Sequence, residues 1–292
     1  MALWARTGQV LDLQPALQRG QLLYGILLRG TLHLVSAAQH PSYAAVVEAS
    51  GVSRQSGLAP LQEALLGFAA QPRGQAQLVE FIEGWVAAHG AKLDAAQLAH
   101  QRIYGWRPLL RWQALVRAPS ARKPTDLVAA PVPPARWPDA ETALREVAGR
   151  HLRAFGPAAA DDLAQWIGFK TPPVRAVLEG MDLEVFEDRR GRRLYDLPGS
   201  PRPDPDTPAP PRLLPWFDNV ILAYAPANRG RILPDEFKNR VYQRANLQWL
   251  PAILVDGLVA GTWTPKTGLD PFVKLSKAEA AELERLVAQC PA

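Results

Sequence analysis

A chain of 292 residues, 48% hydrophobic and 21% charged, can fold into two or three domains with their own cores. The longest apolar run, Leu22 to Val35, is interrupted by Arg29 and His33, no secretory signal is recognisable, and the single cysteine, Cys290, permits no disulfide framework and no cysteine metal site. The composition thus excludes a membrane span and predicts a cytoplasmic protein, whose net charge of +5 suits an acidic partner.

The first 50 residues predict a helix followed by a β-hairpin. Asp12 to Arg19 has a helical pattern, and Leu22–Leu28 and Thr31–Val35 read as strands joined at Arg29–Gly30. We interpret residues 1–50 as a small first unit.

Residues 51–136 predict a second unit of similar design. Leu58 to Arg107 is helical in pattern, and Leu115 to Ala130 reads as another hairpin. Basic residues surround its tip, namely Arg117, Arg122 and Lys123.

Residues 137–197 form the clearest unit. Pro138 to Phe155 predicts a first helix, and Asp161 to Ile167 predicts a second, short one. Thr171 is a suitable N-cap for a third helix, which Gly180 ends. A helix, a tight turn and a helix make a helix-turn-helix.

A third hairpin follows this helix-turn-helix. Leu183–Phe186 and Leu194–Tyr195 read as strands, and the turn between them holds Asp188, Gly191 and four arginines. Glycine and polar residues suffice for such a turn, so the arginines indicate phosphate binding. A solvated charged turn, or the arginine bias of a GC-rich genome, is the alternative interpretation.

A helix-turn-helix with a hairpin is a winged helix, and three hairpins with arginine near the turn favour a tandem array. We therefore predict an α+β fold of tandem winged-helix units, the first of them truncated, over an unrelated α/β layout. The proline-rich residues 198–211 predict a stiff linker to a β-rich domain at 212–292. This domain is expected to contain a strand at Trp216–Tyr224, a hairpin turning at Asp256–Gly257 between Ala252–Val255 and Leu258–Trp263, and a helix at Lys277–Ala288.

Four blocks of sequence resemble, in order, one bacterial family of tandem winged-helix proteins that includes the AlkZ/YcaQ-type DNA glycosylases. The blocks are residues 29–35 (Arg-Gly-Thr-Leu-His-Leu-Val), 151–166 (beginning His-Leu-Arg-Ala-Phe-Gly-Pro), 213–218 (Leu-Leu-Pro-Trp-Phe-Asp) and 255–263 (Val-Asp-Gly-Leu-Val-Ala-Gly-Thr-Trp). The resemblance implies three winged helices and a β domain arranged around DNA. For the glycosylase members it implies excision of alkylated bases or unhooking of interstrand crosslinks.

The catalytic pair of these glycosylases, Gln-x-Gln or His-x-Gln, precedes the segment that residues 2–6 resemble. We therefore expect it to be absent from this chain, either because the start codon is misplaced or because the protein binds DNA without the usual catalysis. Gln75-Ala76-Gln77 matches the pattern, but it lies downstream on a predicted helix and is interpreted as a coincidence.

Two residues are candidates for chemistry. Asp218, inside a family block, can hold a water for attack on a sugar, or it can cap a turn or pair with an arginine. His33 faces away from Leu32 and Leu34, toward DNA or into a half-buried site. The other histidines lack metal-ligand spacing, so we expect no metal, and no cofactor motif is present.

Double-stranded DNA is the expected partner, while the sequence does not indicate an oligomeric state. The rival functions are a non-enzymatic winged-helix regulator or architectural protein, and a domain array that binds other proteins. The residues predicted to contact DNA are Arg29, Lys170, Arg175, Arg189, Arg190, Arg192 and Arg193.

Overall fold

The computed structural model describes residues 3–51, 57–90, 93–119, 125–204 and 206–290. Arg122 and Lys123, predicted near the second hairpin tip, lie outside these described residues. Two compact units are present: unit 1 comprises Met1–Asp12, His151–Trp166 and Asp182–Ala292, and unit 2 comprises Leu13–Arg150 and Ile167–Met181. Because both units combine separated segments, the domain boundaries expected after residues 50, 136, 197 and 211 stay predictions.

Helices and strands are mixed along the chain. The elements up to residue 150 are α1 (Trp4–Thr7), α2 (Gln14–Gln18), β1 (Leu22–Ile26), β2 (Leu32–Ser36), α3 (His40–Ala49), α4 (Ala59–Phe68), α5 (Gln75–His89), α6 (Ala95–Ile103), α7 (Arg107–Leu110), β3 (Leu115–Arg117), β4 (Leu127–Ala129) and the start of α8 (Ala140–Phe155). Those that follow are α9 (Ala160–Ile167), α10 (Thr171–Glu179), β5 (Glu184–Glu187), β6 (Arg193–Asp196), β7 (Arg212–Leu214), α11 (Asn219–Leu222), α12 (Lys238–Val241), β8 (Tyr242–Gln243), β9 (Gln248–Trp249), β10 (Ala252–Val255), β11 (Leu258–Thr264), β12 (Gly268–Pro271) and α13 (Lys277–Ala288).

Unit 2 contains an antiparallel sheet of four strands in the order β2-β1-β3-β4. The hairpins predicted at residues 22–35 and 115–130 are its two halves, and Gly25 opposite Val116 joins them. Leu23, Val35 and Val116 pack on one face with Ala44 of α3, where burial of apolar surface stabilises the sheet. The pairing of the two hairpins is long-range, and the sequence did not predict it.

The helical stretch predicted from Leu58 to Arg107 consists of α4, α5 and α6. Leu58, which precedes α4, and Leu61 and Leu65 within it follow one another at three- and four-residue steps, and all three are fully buried in a core that includes residues of α5. The members of this core that have no exposed surface include Leu58, Leu61, Leu65, Leu78 and Ile82.

Unit 1 contains a second antiparallel sheet in the order β12-β11-β10-β7. Asp256 and Gly257 have φ angles of 48° and 74°, as a two-residue type I′ turn requires, and they join β10 to β11 as predicted. The predicted final helix is α13, which begins with Ser276 accepting a hydrogen bond from the amide of Glu279. Leu283 of α13 packs on the sheet in one cluster with Trp4 and Trp263.

The strand predicted at Trp216–Tyr224 is wrong, because the chain turns there and enters α11. Phe217 has φ 55°, which no strand residue adopts, and Asp218 caps α11 by accepting a hydrogen bond from the amide of Val220 at 2.8 Å. A smaller correction concerns α10, which already includes Thr171, so that its N-cap is Lys170.

Candidate nucleic-acid interface

We call the hairpin β5–β6 of unit 1 the wing. Backbone hydrogen bonds hold the turn that joins its two strands. The amide of Asp188 donates to the carbonyl of Arg192 at 3.0 Å, and the amide of Gly191 donates to the carbonyl of Asp188 at 2.9 Å. Gly191 has φ 72°, a conformation that favours glycine. This turn presents Arg189 and Arg190 to solvent.

Asp188 organises the wing tip with its carboxylate. One oxygen accepts hydrogen bonds from the amides of Arg190 and Arg192 at 2.8 and 2.9 Å, and the other accepts from Nε of Arg192 at 2.8 Å. These bonds, led by the one from the Arg192 amide, hold the pKa of Asp188 below its usual value. Asp188 therefore stays ionised, and Arg192 is tied to it.

The wing borders a groove of about 380 Å³ in unit 1, which we call the wing groove. Its opposite wall is the 3-10 segment Pro226–Arg231, and Nη1 of Arg190 reaches the carbonyl of Ala227 at 3.4 Å. Asp188 is the one acid among the described residues that line it. The arginines of the lining are Arg189, Arg190, Arg192 and Arg231.

Arg231 was missed by sequence reasoning. Its Nη1 donates to the carbonyl of Pro157 at 2.9 Å, and its guanidinium lies 4.6 Å from the centre of the Tyr224 ring. The available signal was the pair of arginines around Gly230, in a segment that has neither helical nor strand periodicity. By contrast, the predicted contact Arg193 is exposed but does not line the groove.

A buried carboxylate fixes the wall of the groove. Asp162 of α9 is 1% exposed and accepts hydrogen bonds from Nδ2 of Asn228 at 2.7 Å and from the amide of Ala225 at 2.8 Å. Nδ2 of Asn228 also donates to Asp161 at 3.0 Å. Because buried polar groups are costly to leave unpaired, these bonds keep the arginine-bearing segment in place.

Asp218 lies in unit 1 and is nearly inaccessible. Its two oxygens accept hydrogen bonds at 2.7 and 2.8 Å from the guanidinium of Arg6, which raises the pKa of Arg6, and its side chain is 1% exposed. A carboxylate enclosed in this way has little room to hold a water against a substrate. The catalytic role stays a prediction, and this geometry favours the alternative of a structural ion pair.

His33 and Arg29 lie in unit 2, and both are partly buried. Nδ1 of His33 is 2.8 Å from the carbonyl of Thr31, and burial lowers the pKa of its imidazole, so His33 is neutral at pH 7. Arg29 has φ 55° and packs close to Gly168, where an added Cβ would lie 3.4 Å from Cγ of Arg29. Burial also lowers the pKa of Arg29.

The remaining predicted contacts, Lys170 and Arg175, are exposed at the start and in the middle of α10 in unit 2. Within the described ranges no group of histidine, cysteine, aspartate and glutamate side chains is arranged to hold a metal ion. The helices of the described part are also too short or too polar to cross a bilayer.

Comparison with known proteins places these features in context. The sequence profile of the family described as DNA glycosylase AlkZ-like matches residues 1–291. The solved structure of the Streptomyces sahachiroi DNA glycosylase AlkZ is similar to this chain with a TM-score of 0.74 at 20% identity, covering 95% of this chain and 81% of that one. Curated protein sequences gave no significant match.

Proposed function

Because the chain belongs to the AlkZ-like DNA glycosylase family, we propose that it binds double-stranded DNA and that the wing groove of unit 1 contacts the phosphate backbone. The observation that carries this proposal is the convergence of four arginines on one groove whose described lining has one acid. Guanidinium groups pair with phosphate through two parallel hydrogen bonds, and the released counterions favour binding.

We further propose that the chain is a tandem array of winged helices. The helices α8, α9 and α10 followed by β5–β6 have the element order of a winged helix, and β1–β2 and β3–β4 supply two more hairpins. In this proposal α10 is the recognition helix, which is supported by the exposure of Lys170 and Arg175. Arg29 contributes less, because it is partly buried.

The salt dependence of duplex affinity tests the wing. Contacts with six to ten phosphates predict a loss of roughly 10³ to 10⁵ in affinity between 50 and 200 mM salt. Changing Arg189, Arg190, Arg192 and Arg193 to alanine is expected to flatten the slope of log affinity against log salt by about three units. A fluorescently labelled duplex titrated at five salt concentrations measures this slope.

A matched variant controls for net charge. Arg153, Arg212, Arg240 and Arg244 are exposed arginines of unit 1 that do not line the wing groove, so their change to alanine removes the same charge elsewhere. The control is expected to keep a slope close to that of the unaltered protein. Equal slopes in the two variants would rule out the wing as a phosphate contact.

Membership of the family also leads us to propose base excision as the activity of this protein, with damaged or distorted duplex as the substrate. Gln77 is not assigned a catalytic step, because its side chain accepts a hydrogen bond from the amide of Gly74 at 3.0 Å and so caps α5. Incubation with a duplex containing 7-methylguanine, followed by alkali, reveals excision as strand cleavage. If the strand stays intact, the protein does not excise that base. If a binding assay shows a preference for one palindromic site over random duplex, the protein is a regulator instead.

A further inference from the structure

Unit 2 has a pocket of its own on the four-stranded sheet, with a volume of about 240 Å³. Tyr24 and Ile26 line it, and they alternate along β1 with Leu23, which packs in the core on the other face. The pocket therefore lies on the sheet face opposite that core. We call it the sheet pocket, and it shares no lining residue with the wing groove.

Three arginines give the sheet pocket a positive charge. Arg107 begins α7, while Arg111 and Arg117 are each oriented by a carbonyl: Nη2 of Arg111 donates to Gly30 at 3.2 Å, and Nη1 of Arg117 donates to Thr125 at 2.7 Å. A carbonyl orients a guanidinium without neutralising it. The described residues that line the pocket include no carboxylate, so an anionic ligand would supply the missing charge.

Apart from these arginines, Gln75 and Thr125, the described lining residues are apolar or aromatic, which a site for a bare inorganic ion would not need. Tyr24 offers a ring, and Leu32 is 53% exposed although it is a large aliphatic residue. Gln75, at the first position of α5, adds an amide that can donate and accept hydrogen bonds. A ligand that satisfies all of these groups has one anionic end and one planar, polar-edged body.

We propose that the sheet pocket binds a nucleoside monophosphate, with the phosphate on Arg107, Arg111 and Arg117 and the base against Tyr24 and Leu32. The volume of about 240 Å³ is just below the usual range for pockets that enclose a drug-sized ligand, so one nucleotide would be partly enclosed and a duplex is excluded. A phosphate joined to a base can be supplied by a free nucleotide or by an unpaired nucleotide of a strand. The inference does not depend on the wing.

Calorimetric titration of the full chain tests this assignment with deoxyguanosine monophosphate, deoxyguanosine and inorganic phosphate. The nucleotide is expected to bind about tenfold more tightly than either of its parts, since charge and ring contacts act together. A fourth titrant, a five-nucleotide single strand, distinguishes the two sources. Tighter binding of the strand indicates an unpaired nucleotide, and equal or tighter binding of the monomer indicates a free one.

Two variants identify the site. Arg107→Met with Arg111→Met is expected to weaken nucleotide binding at least about tenfold. Tyr24→Leu is expected to lower the affinity for the nucleotide but to leave the affinity for inorganic phosphate unchanged. Arg19→Met with Arg136→Met changes two exposed arginines of unit 2 that do not line the sheet pocket, and this matched control is expected to keep nucleotide affinity. Thermal unfolding of each variant verifies folding. The assignment is overturned if the nucleotide fails to bind at millimolar concentration, binds no better than phosphate, or loses as much affinity in the control variant as in the variant of Arg107 and Arg111.

Discussion

His151 is a neutral imidazole enclosed by aromatic rings in unit 1. It has no exposed surface, and the centroid of its ring lies 5.4 Å from the ring centroid of Phe155 and 4.9 Å from that of Trp166. No described residue forms a hydrogen bond with either ring nitrogen. Burial lowers the pKa of His151 to about 3, because a charged imidazolium would lose its hydration without gaining a partner.

The free energy of unfolding is therefore expected to depend on pH through His151. The unfolded state binds the proton below its ordinary pKa near 6.5, and the folded state does not, so stability falls as the pH drops from about 6.5 toward 3. The expected slope from this residue is about 1.4 kcal/mol per pH unit. Urea unfolding at pH 7, 6, 5 and 4 measures it: His151→Leu should lose this slope and the exposed His100→Leu should keep it. Identical pH profiles for the two variants would contradict the assignment.

Local signals decided which elements could be predicted from the sequence. The hairpin at Asp256–Gly257 and the helix α13 depend on residues a few positions apart, and both are confirmed. The strand predicted at 216–224 is wrong because the chain turns at Phe217 and Asp218 caps α11. The pairing of Asp218 with Arg6, which lies 212 positions away, is a contact that no periodicity reports. Arg231 likewise reaches the groove only through tertiary packing, whereas the wing arginines occupy the turn that their own sequence predicts.

Asp188 is the one acid among the described residues that line the wing groove, and it both orders the turn of the wing and reduces the positive charge of the groove. Asp188→Asn keeps an oxygen that can accept the amides of Arg190 and Arg192, but it removes the negative charge beside Arg192. We expect duplex affinity to rise about threefold at low salt, since one more positive charge then faces the phosphates. Fluorescence anisotropy with a labelled duplex measures the change.

Asp256→Asn makes the same chemical change at the exposed tip of the hairpin β10–β11, which does not line the wing groove, and is the matched control. It is expected to leave the affinity nearly unchanged. Asp188→Ala should bind duplex less tightly than Asp188→Asn, because the turn loses the hydrogen bonds that the Asp188 side chain accepts. A rise of the same size in the Asp256 variant would show that net charge, and not the wing, controls binding.

At the scale of the whole molecule, unit 1 joins distant parts of the chain in one hydrophobic cluster. Trp4 is 5% exposed, and its ring centroid lies 6.3 Å from that of Trp263. Leu283 of α13 belongs to the same cluster and has no exposed surface. The segment around α1 is thus an integral part of unit 1 rather than of the unit that follows it in sequence.

Removing the Trp4 ring should destabilise unit 1 strongly. Trp4→Ala leaves a cavity beside Trp263, and the expected loss is about 3 kcal/mol in the free energy of unfolding. Trp216→Ala is the matched control, because Trp216 is 43% exposed and its removal creates no cavity. Chemical denaturation followed by circular dichroism measures both. A loss in Trp4→Ala no larger than in Trp216→Ala would mean that this cluster does not stabilise the unit.

The cluster around Trp4 also predicts the order in which the two units fold during synthesis on the ribosome. Leu13–Arg150 leaves the exit tunnel early and holds most of unit 2, so the collapse of that unit can begin while synthesis continues. Unit 1 cannot close until α13 has emerged, and Trp4 is left without its buried neighbours for the whole interval. An exposed tryptophan in a nascent chain is a typical target for chaperones that hold apolar segments, so this protein should depend on such help more during its synthesis than after it.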